Sequence, residues 1–172
     1  MKTTELTRVA LLTAVLCILA PISIPVPFSS VAFSLATFAI YLMAYILKPK
    51  QALVSVVLYL LLGAAGLPVF AGYLGGISRF ASPNGGYLIG YLAAVGIGSW
   101  FVQNHSNASL QIVGLLFATL SLYLIGTFWM AYTTGIALSA ALWSGALLYL
   151  PFDIIKMLFA IYLGRKIQKH IK

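Results

Sequence analysis

The chain has 172 residues, 62% of them hydrophobic and only 7% charged, with ten Lys or Arg against two Asp or Glu and a net charge of +8. A soluble domain carries about 25% charged residues, so this composition, with a mean hydropathy of +1.06, excludes an ordinary soluble enzyme and points to a polytopic membrane protein. One cysteine, Cys17, excludes a disulfide framework, and the length suits a single integral-membrane domain, 1–172.

A membrane-spanning helix needs about 20 mostly apolar residues. Six apolar runs approach that length: 5–22, 31–47, 51–65, 86–102, 109–130 and 141–165. They predict an all-α membrane protein with six transmembrane helices. The first run is expected to be a span rather than a signal peptide, because no small-residue cleavage site closes it. Along it, Thr7, Ala10, Ala14 and Cys17 form a small-residue stripe. Small side chains one turn apart let helices approach closely, either inside this chain or against a separate membrane partner.

Residues 21–30 contain Pro21, Pro25 and Pro27, which stiffen a short loop that could close over a pocket. In the second run Ser34, Phe38, Tyr41 and Tyr45 follow helical spacing, with Thr37 beside them. Such a stripe serves either packing or a binding wall. Residues 66–86 read GLPVFAGYLGGISRFASPNGG, too rich in Gly and Pro for a lipid-facing helix. Irregular backbone at membrane depth is tolerated only inside protein or around a cavity. This stretch is therefore expected to be a re-entrant or capping loop, with a plain external connector as the alternative. Arg79 and Asn84 give it a cation and an amide. Residues 128–140 are ambiguous between a loop and a helix end, and Trp100, Trp129 and Trp143 suit interface anchoring.

The last run holds Asp153 and Lys156; the other acidic residue of the chain is Glu5. An ionised group at the centre of a span costs about 2.5–3.5 kcal/mol, so such groups face a partner or a cavity. At helical spacing Tyr149, Asp153, Lys156 and Ala160 share a face, and Pro151 frees backbone groups nearby. The pair either fixes helix packing or contacts a small polar ligand.

Charge orients the chain. Lys2, Arg8, Lys48, Lys50, Arg165, Lys166, Lys169 and Lys172 all fall on one side of the six-span arrangement, which the positive-inside rule makes cytoplasmic, together with both termini. Arg79 falls in the opposite, external loop. His105 and His170 are also placed on the cytoplasmic side, away from Asp153. No Ser-His-Asp arrangement and no phosphate-binding Gly-Lys-Ser/Thr loop is present. No catalytic residue, cofactor or resident metal is expected, and any ATP-driven step needs another subunit.

The run from Gly63 to Gly72, GAAGLPVFAG, resembles a signature of the BioY family, the biotin-specific S components of energy-coupling-factor (ECF) vitamin transporters. The resemblance continues through Gly75-Gly76 and Pro83-Asn84-Gly85-Gly86-Tyr87-Leu88. It returns at Pro151-Phe152-Asp153-Ile154-Ile155-Lys156, which is similar to the family's proline-x-Asp-x-x-Lys motif. Residues 31–38 and the Lys48-Pro49-Lys50 turn fit as well. The resemblance implies a six-helix S-component fold in the prokaryotic cell membrane, both termini cytoplasmic, and a biotin pocket near the external side. By motif position Asp153 and Lys156 would be substrate contacts, with Arg79, Asn84 and Tyr87 as further contacts and Thr37, Tyr41 and Tyr149 lining the same pocket. Ala10-x-x-x-Ala14 is similar to the motif by which S components dock on the membrane coupling protein EcfT, and two ABC-type ATPases would complete the complex. Tyr73, Asn84 and Ala36 depart from the family's commoner glycine, threonine and glutamine. An S component for another vitamin, riboflavin or thiamine, and a small intramembrane enzyme or assembly factor using Asp153 as an acid or base are the alternatives.

Overall fold

A computed structural model of the chain describes residues 2–27, 29 and 31–171. Phe28 and Ser30 of the expected 21–30 loop, and Lys172 of the expected basic face, lie outside the described residues. Helix α1 (Thr3–Leu19) starts where the Glu5 carboxylate accepts the Lys2 backbone N–H at 3.0 Å, satisfying a donor the helix start leaves free. It buries Val9, Leu12 and Leu16 against its neighbours α2 (Ala36–Ile46) and α3 (Pro49–Ala64). The hydroxyls of Thr13 and Ser55 meet at 2.9 Å between α1 and α3.

Two short strands, β1 (Ser23–Ile24) and β2 (Phe33–Ser34), follow α1 and pair antiparallel, Ser23 opposite Ser34. The expected helix over 31–47 is therefore corrected: residues 31–35 are not helical, and α2 begins only at Ala36. The cause is local. The Ser34 hydroxyl accepts the Ala36 N–H at 3.0 Å and donates to the Ala20 carbonyl at 2.8 Å, which holds the chain extended just ahead of Leu35, where the helix begins. Nine of the eleven α2 residues are buried. At a rise of about 1.5 Å per residue the helix spans only about 16 Å, roughly half of a hydrocarbon core. Its start is thus held deep inside the protein, wrapped by α1, α3, α5 (Gly85–Asn104) and α8 (Leu150–Ile171).

Pro49 opens α3 at a position where its missing N–H costs nothing. The segment 66–86 folds back onto the end of that helix rather than crossing as a free connector. A bridge joins Phe70 and Leu74, the Gly76 N–H donates to the Gly63 carbonyl at 2.7 Å, and the short α4 (Ser78–Ala81) follows. Gly72 donates to the Pro21 carbonyl at 3.1 Å, which ties this segment to the loop after α1.

Helix α5 makes its most extensive packing with α6 (Ala108–Thr134). Glycine permits this close approach: a Cβ at Gly86 would strike Trp129, and one at Gly126 would strike the Tyr87 ring. The ambiguous stretch 128–140 resolves as the last two turns of α6, a left-handed Gly135 at φ 71° and the beginning of α7 (Leu138–Leu142). A π turn, Trp143–Leu147, joins α7 to α8. Pro151 cannot donate within the helix ladder, and the ladder shifts just ahead of it. Leu148 donates to the Trp143 carbonyl at 3.1 Å and Tyr149 to the Ala146 carbonyl at 3.0 Å. Helices α5, α6 and the continuous run of 33 residues 138–170 are long and apolar enough to cross a membrane, while α2 and α3 are shorter apolar helices. At one end of the molecule Lys2, Lys48, Gln103 and Gln168 line a common crevice, so the segments expected on the basic side do converge.

Candidate substrate-binding site

Asp153 and Lys156 stand on the inner face of α8, 3% and 8% exposed. Their ion pair, 2.7 Å, is the only one among the described residues. The start of α2 supplies most of their partners. Lys156 Nζ donates to Asp153 Oδ1 at 2.7 Å, to Thr37 Oγ1 at 3.0 Å and to the Ser34 carbonyl at 2.6 Å. Thr37 in turn donates to Asp153 Oδ1 at 2.8 Å, and the Tyr123 hydroxyl of α6 donates to Oδ2 at 2.5 Å. The Phe33 ring covers the ammonium with its centroid 4.0 Å away. Every N–H of Lys156 is therefore used, whereas Asp153 Oδ2 accepts a single protein hydrogen bond and keeps lone-pair capacity.

Two small cavities adjoin this network, each about 50 Å³. The deeper one is lined by Thr37, Tyr123, Tyr149, Asp153 and Lys156. The outer one is lined by Tyr59, Phe70, Arg79 and Asn84. Val31, Ala32, Ser34, Tyr87 and Tyr91 line both, so the extended segment 31–34 lies where the two chambers meet. Two hydrogen bonds fasten that segment on this side: the Tyr149 hydroxyl, just ahead of α8, donates to the Val31 carbonyl, and Lys156 of α8 holds the Ser34 carbonyl. Asn84 Oδ1 is buried in the outer chamber with no hydrogen-bond partner among the described residues, and a buried unpaired acceptor costs about 1–3 kcal/mol.

Asp153, Lys156, Thr37, Tyr149, Arg79, Asn84 and Tyr87 thus all reach one pair of adjoining chambers. Tyr41 does not. It lies one turn past Thr37 on α2, too deep to reach either chamber, and its hydroxyl meets Thr119 of α6 at 2.6 Å in the core. Ala10 and Ala14 are far from the chambers, exposed on the outward face of α1. Of the small-residue stripe only Cys17 is half-buried and packs against the core, while Thr7, Ala10 and Ala14 are left exposed. Tyr123, Tyr91 and the backbone carbonyl of Ser34 were not foreseen. Tyr123 had a signal: Thr119, Tyr123 and Thr127 recur every four residues in an otherwise apolar helix. The carbonyls had none, because a broken helix start is not visible in side-chain identity.

The arrangement is suited to a small ligand carrying both hydrogen-bond donors and acceptors. A ligand N–H can use the open side of Asp153 Oδ2, and a ligand carbonyl can replace the Ser34 carbonyl on Lys156. Tyrosine rings supply apolar walls with polar edges. Arg79 has no acidic partner among the described residues, which leaves a cation for an anionic group in the outer chamber.

The whole chain, residues 1–172, matches the model of the BioY family. It is 33% identical over 168 residues to the probable biotin transporter BioY of Pyrococcus horikoshii, covering 98% of both chains. It is also 33% identical over 168 residues to the biotin transporter BioY2 of Lactococcus lactis, covering 95% of this chain and 89% of that one. The fold superposes on the crystal structure of the S-component for biotin from an ECF-type ABC transporter with a TM-score of 0.90 and 30% identity, covering 98% of this chain and 95% of that one. Family model, relatives and fold agree, and the chain belongs to the BioY family.

Proposed function

We propose that this protein captures biotin from outside a prokaryotic cell and delivers it across the cytoplasmic membrane, as the substrate-binding subunit of an ECF-type ABC importer. It has no enzymatic role of its own. The observation that carries this reading is the buried network of Asp153, Lys156, Thr37 and Tyr123 at the floor of two adjoining chambers. In the proposed pose the ureido ring of biotin sits on that network, giving an N–H to Asp153 and its carbonyl to Lys156. The thioether ring and valeryl chain lie along Tyr87 and Tyr91, and the carboxylate reaches Arg79 and Asn84.

Size demands movement. Ligand pockets for molecules of this class measure about 300–1,000 Å³, against about 50 Å³ in each chamber. Entry therefore moves the 31–34 segment, which shares both chambers and is held by the Tyr149 and Lys156 hydrogen bonds on one side and by the β1 pairing and the Ser34–Ala20 hydrogen bond on the other. The ATP-hydrolysing step belongs to partner subunits, the coupling protein EcfT and two ABC-type ATPases, with the exposed Ala10 and Ala14 face of α1 as the docking surface.

Equilibrium titration of the purified, detergent-solubilised chain with biotin, with riboflavin and thiamine as competitors, tests substrate and site together. Asp153→Asn is expected to lower biotin affinity about 100-fold, the scale of a lost hydrogen bond to a charged group, with the helical spectrum retained. Unchanged affinity with a lower unfolding midpoint would make the ion pair a packing device and remove it from the site. For docking, Ala14→Trp is expected to spare binding and abolish uptake in cells that express the full complex; surviving uptake would sink that surface.

A further inference from the structure

The basic end of the molecule holds a second built cavity that plays no part in substrate capture. A crevice of about 270 Å³ opens between the first turn of α1, the turn joining α2 to α3, and the ends of α5 and α8; Lys2, Arg8, Lys48 and Gln103 line it. It continues into a groove of about 570 Å³ walled by Pro49, Val54 and the stems of Lys48 and Lys50. Glu5, Lys48 and Gln51 line both. The two parts differ in chemistry. The crevice is polar and cationic, whereas the wall of the groove is mostly carbon.

Charge selects the occupant. Lys2, Arg8, Lys48 and Lys50 stand around these spaces with Glu5 as the one carboxylate, and that carboxylate is engaged by the Lys2 backbone N–H. None of the four cations has an acidic partner among the described residues. Beyond Val54 the outward face of α3 continues as Val57, Leu58 and Leu61, exposed and spaced at three and four residues. An occupant that matches both halves has an anionic head and an apolar tail lying along a membrane helix.

We propose that this crevice and groove bind an anionic phospholipid of the leaflet at the basic end, its phosphate among Arg8, Lys2 and Lys48 and one acyl chain along the Val54–Leu61 stripe. Basic pockets between membrane helices are suited to such headgroups, and each Lys or Arg near an anionic surface contributes about a fivefold gain. The site is separated from the ligand chambers by the length of α2, so lipid and substrate bind independently of one another.

The test is native mass spectrometry of the purified full-length protein titrated with phosphatidylglycerol, with phosphatidylcholine as the neutral reference. The expected result is retained phosphatidylglycerol adducts and a loss of roughly 30-fold in their affinity in the double variant Arg8→Gln, Lys48→Gln, about fivefold per cation. The pair Lys166→Gln, Lys169→Gln removes the same charge from the same end, at α8, and is expected to change affinity by less than about threefold. Biotin affinity within about twofold of the parent shows that each variant is folded, since none of these residues touches the chambers. Equal losses in both double variants would reduce the effect to a diffuse basic surface and overturn the proposal. Equal retention of phosphatidylcholine, or full displacement by excess inorganic phosphate, would overturn it as well, the first by removing the role of charge and the second by removing that of the groove. Unchanged lipid binding with lost co-purification of the coupling protein would assign the crevice to a protein partner instead.

Discussion

The bundle contains two buried polar networks, one at each end of α2, and they are built on opposite plans. At the basic end Gln111 of α6 accepts from Arg165 Nη2 at 2.7 Å and donates to the His105 carbonyl at 2.7 Å. Gln103 caps the end of α2 through the Ala44 and Tyr45 carbonyls at 2.9 and 3.0 Å. The participants come from helices or from the helix ends they join. At the other end the Asp153–Lys156 network joins side chains of α2, α6 and α8 to one acceptor from backbone outside a helix, the Ser34 carbonyl, with the Tyr149–Val31 and Tyr87–Gly145 hydrogen bonds beside it. It also sits next to empty volume and an unpartnered Asn84. A network made of fixed partners staples helices together. One that includes a loop carbonyl can exchange that protein acceptor for a ligand acceptor at little net cost, because hydrogen bonds traded one for one nearly cancel.

The comparison breaks most visibly at Asp153. The Asn variant removes the charge that Lys156, Thr37 and Tyr123 all address, and the expected fall of about 100-fold in biotin affinity is the largest single effect. Next is Tyr123→Phe. Its hydroxyl fixes Oδ2 from the far side of the deeper chamber, so its loss lets the carboxylate turn away from the ligand. The expected result is an affinity loss of about tenfold, measured by calorimetry. Tighter binding would mean that biotin displaces Tyr123 from Oδ2, and the pose above would be wrong. Smaller again is Tyr149→Phe, which cuts one of the two fastenings of the 31–34 segment on the α8 side. Stopped-flow binding should show association and dissociation both accelerated by about three- to tenfold, with little change in the equilibrium constant, because the fastening is remade once the ligand is inside. If only dissociation accelerates, Tyr149 holds the ligand rather than the cover.

Much of this difference was legible in the sequence, and the illegible part has a physical cause. Asp153 and Lys156 stood out because ionised groups in an apolar run need a reason. The Gly- and Pro-rich 66–86 stretch was legible as cavity-lining backbone for the same reason in reverse. The start of α2 was not. Val31, Ala32 and Phe33 are apolar, and hydropathy does not separate an extended apolar segment from a helical one. Ser34 therefore fits a helical stripe by spacing although it lies in extended backbone just ahead of the helix. Tyr41 was misjudged through depth: spacing assigns a helix face, but not which neighbour that face meets one turn further in. Tyr123 is masked by hydropathy, which makes α6 a plain span, although its Thr119, Tyr123 and Thr127 stripe recurs at helical spacing.

The smallest expected effect on binding is the sharpest check on the comparison. Gln111→Leu keeps the approximate volume of the side chain but leaves the Arg165 guanidinium without its buried acceptor and the His105 carbonyl without its donor. Arg165 is only half-buried, so most of the cost lies in the His105 carbonyl and the lost charge-assisted bond, and the unfolding midpoint in detergent should fall by about a few degrees. Biotin affinity should stay within about twofold, because the length of α2 separates Gln111 from the chambers and its partners do not line them. A variant that keeps its midpoint but loses affinity would mean that the two networks communicate along α2. The basic end would then be part of the binding device rather than the anchor against which the site moves.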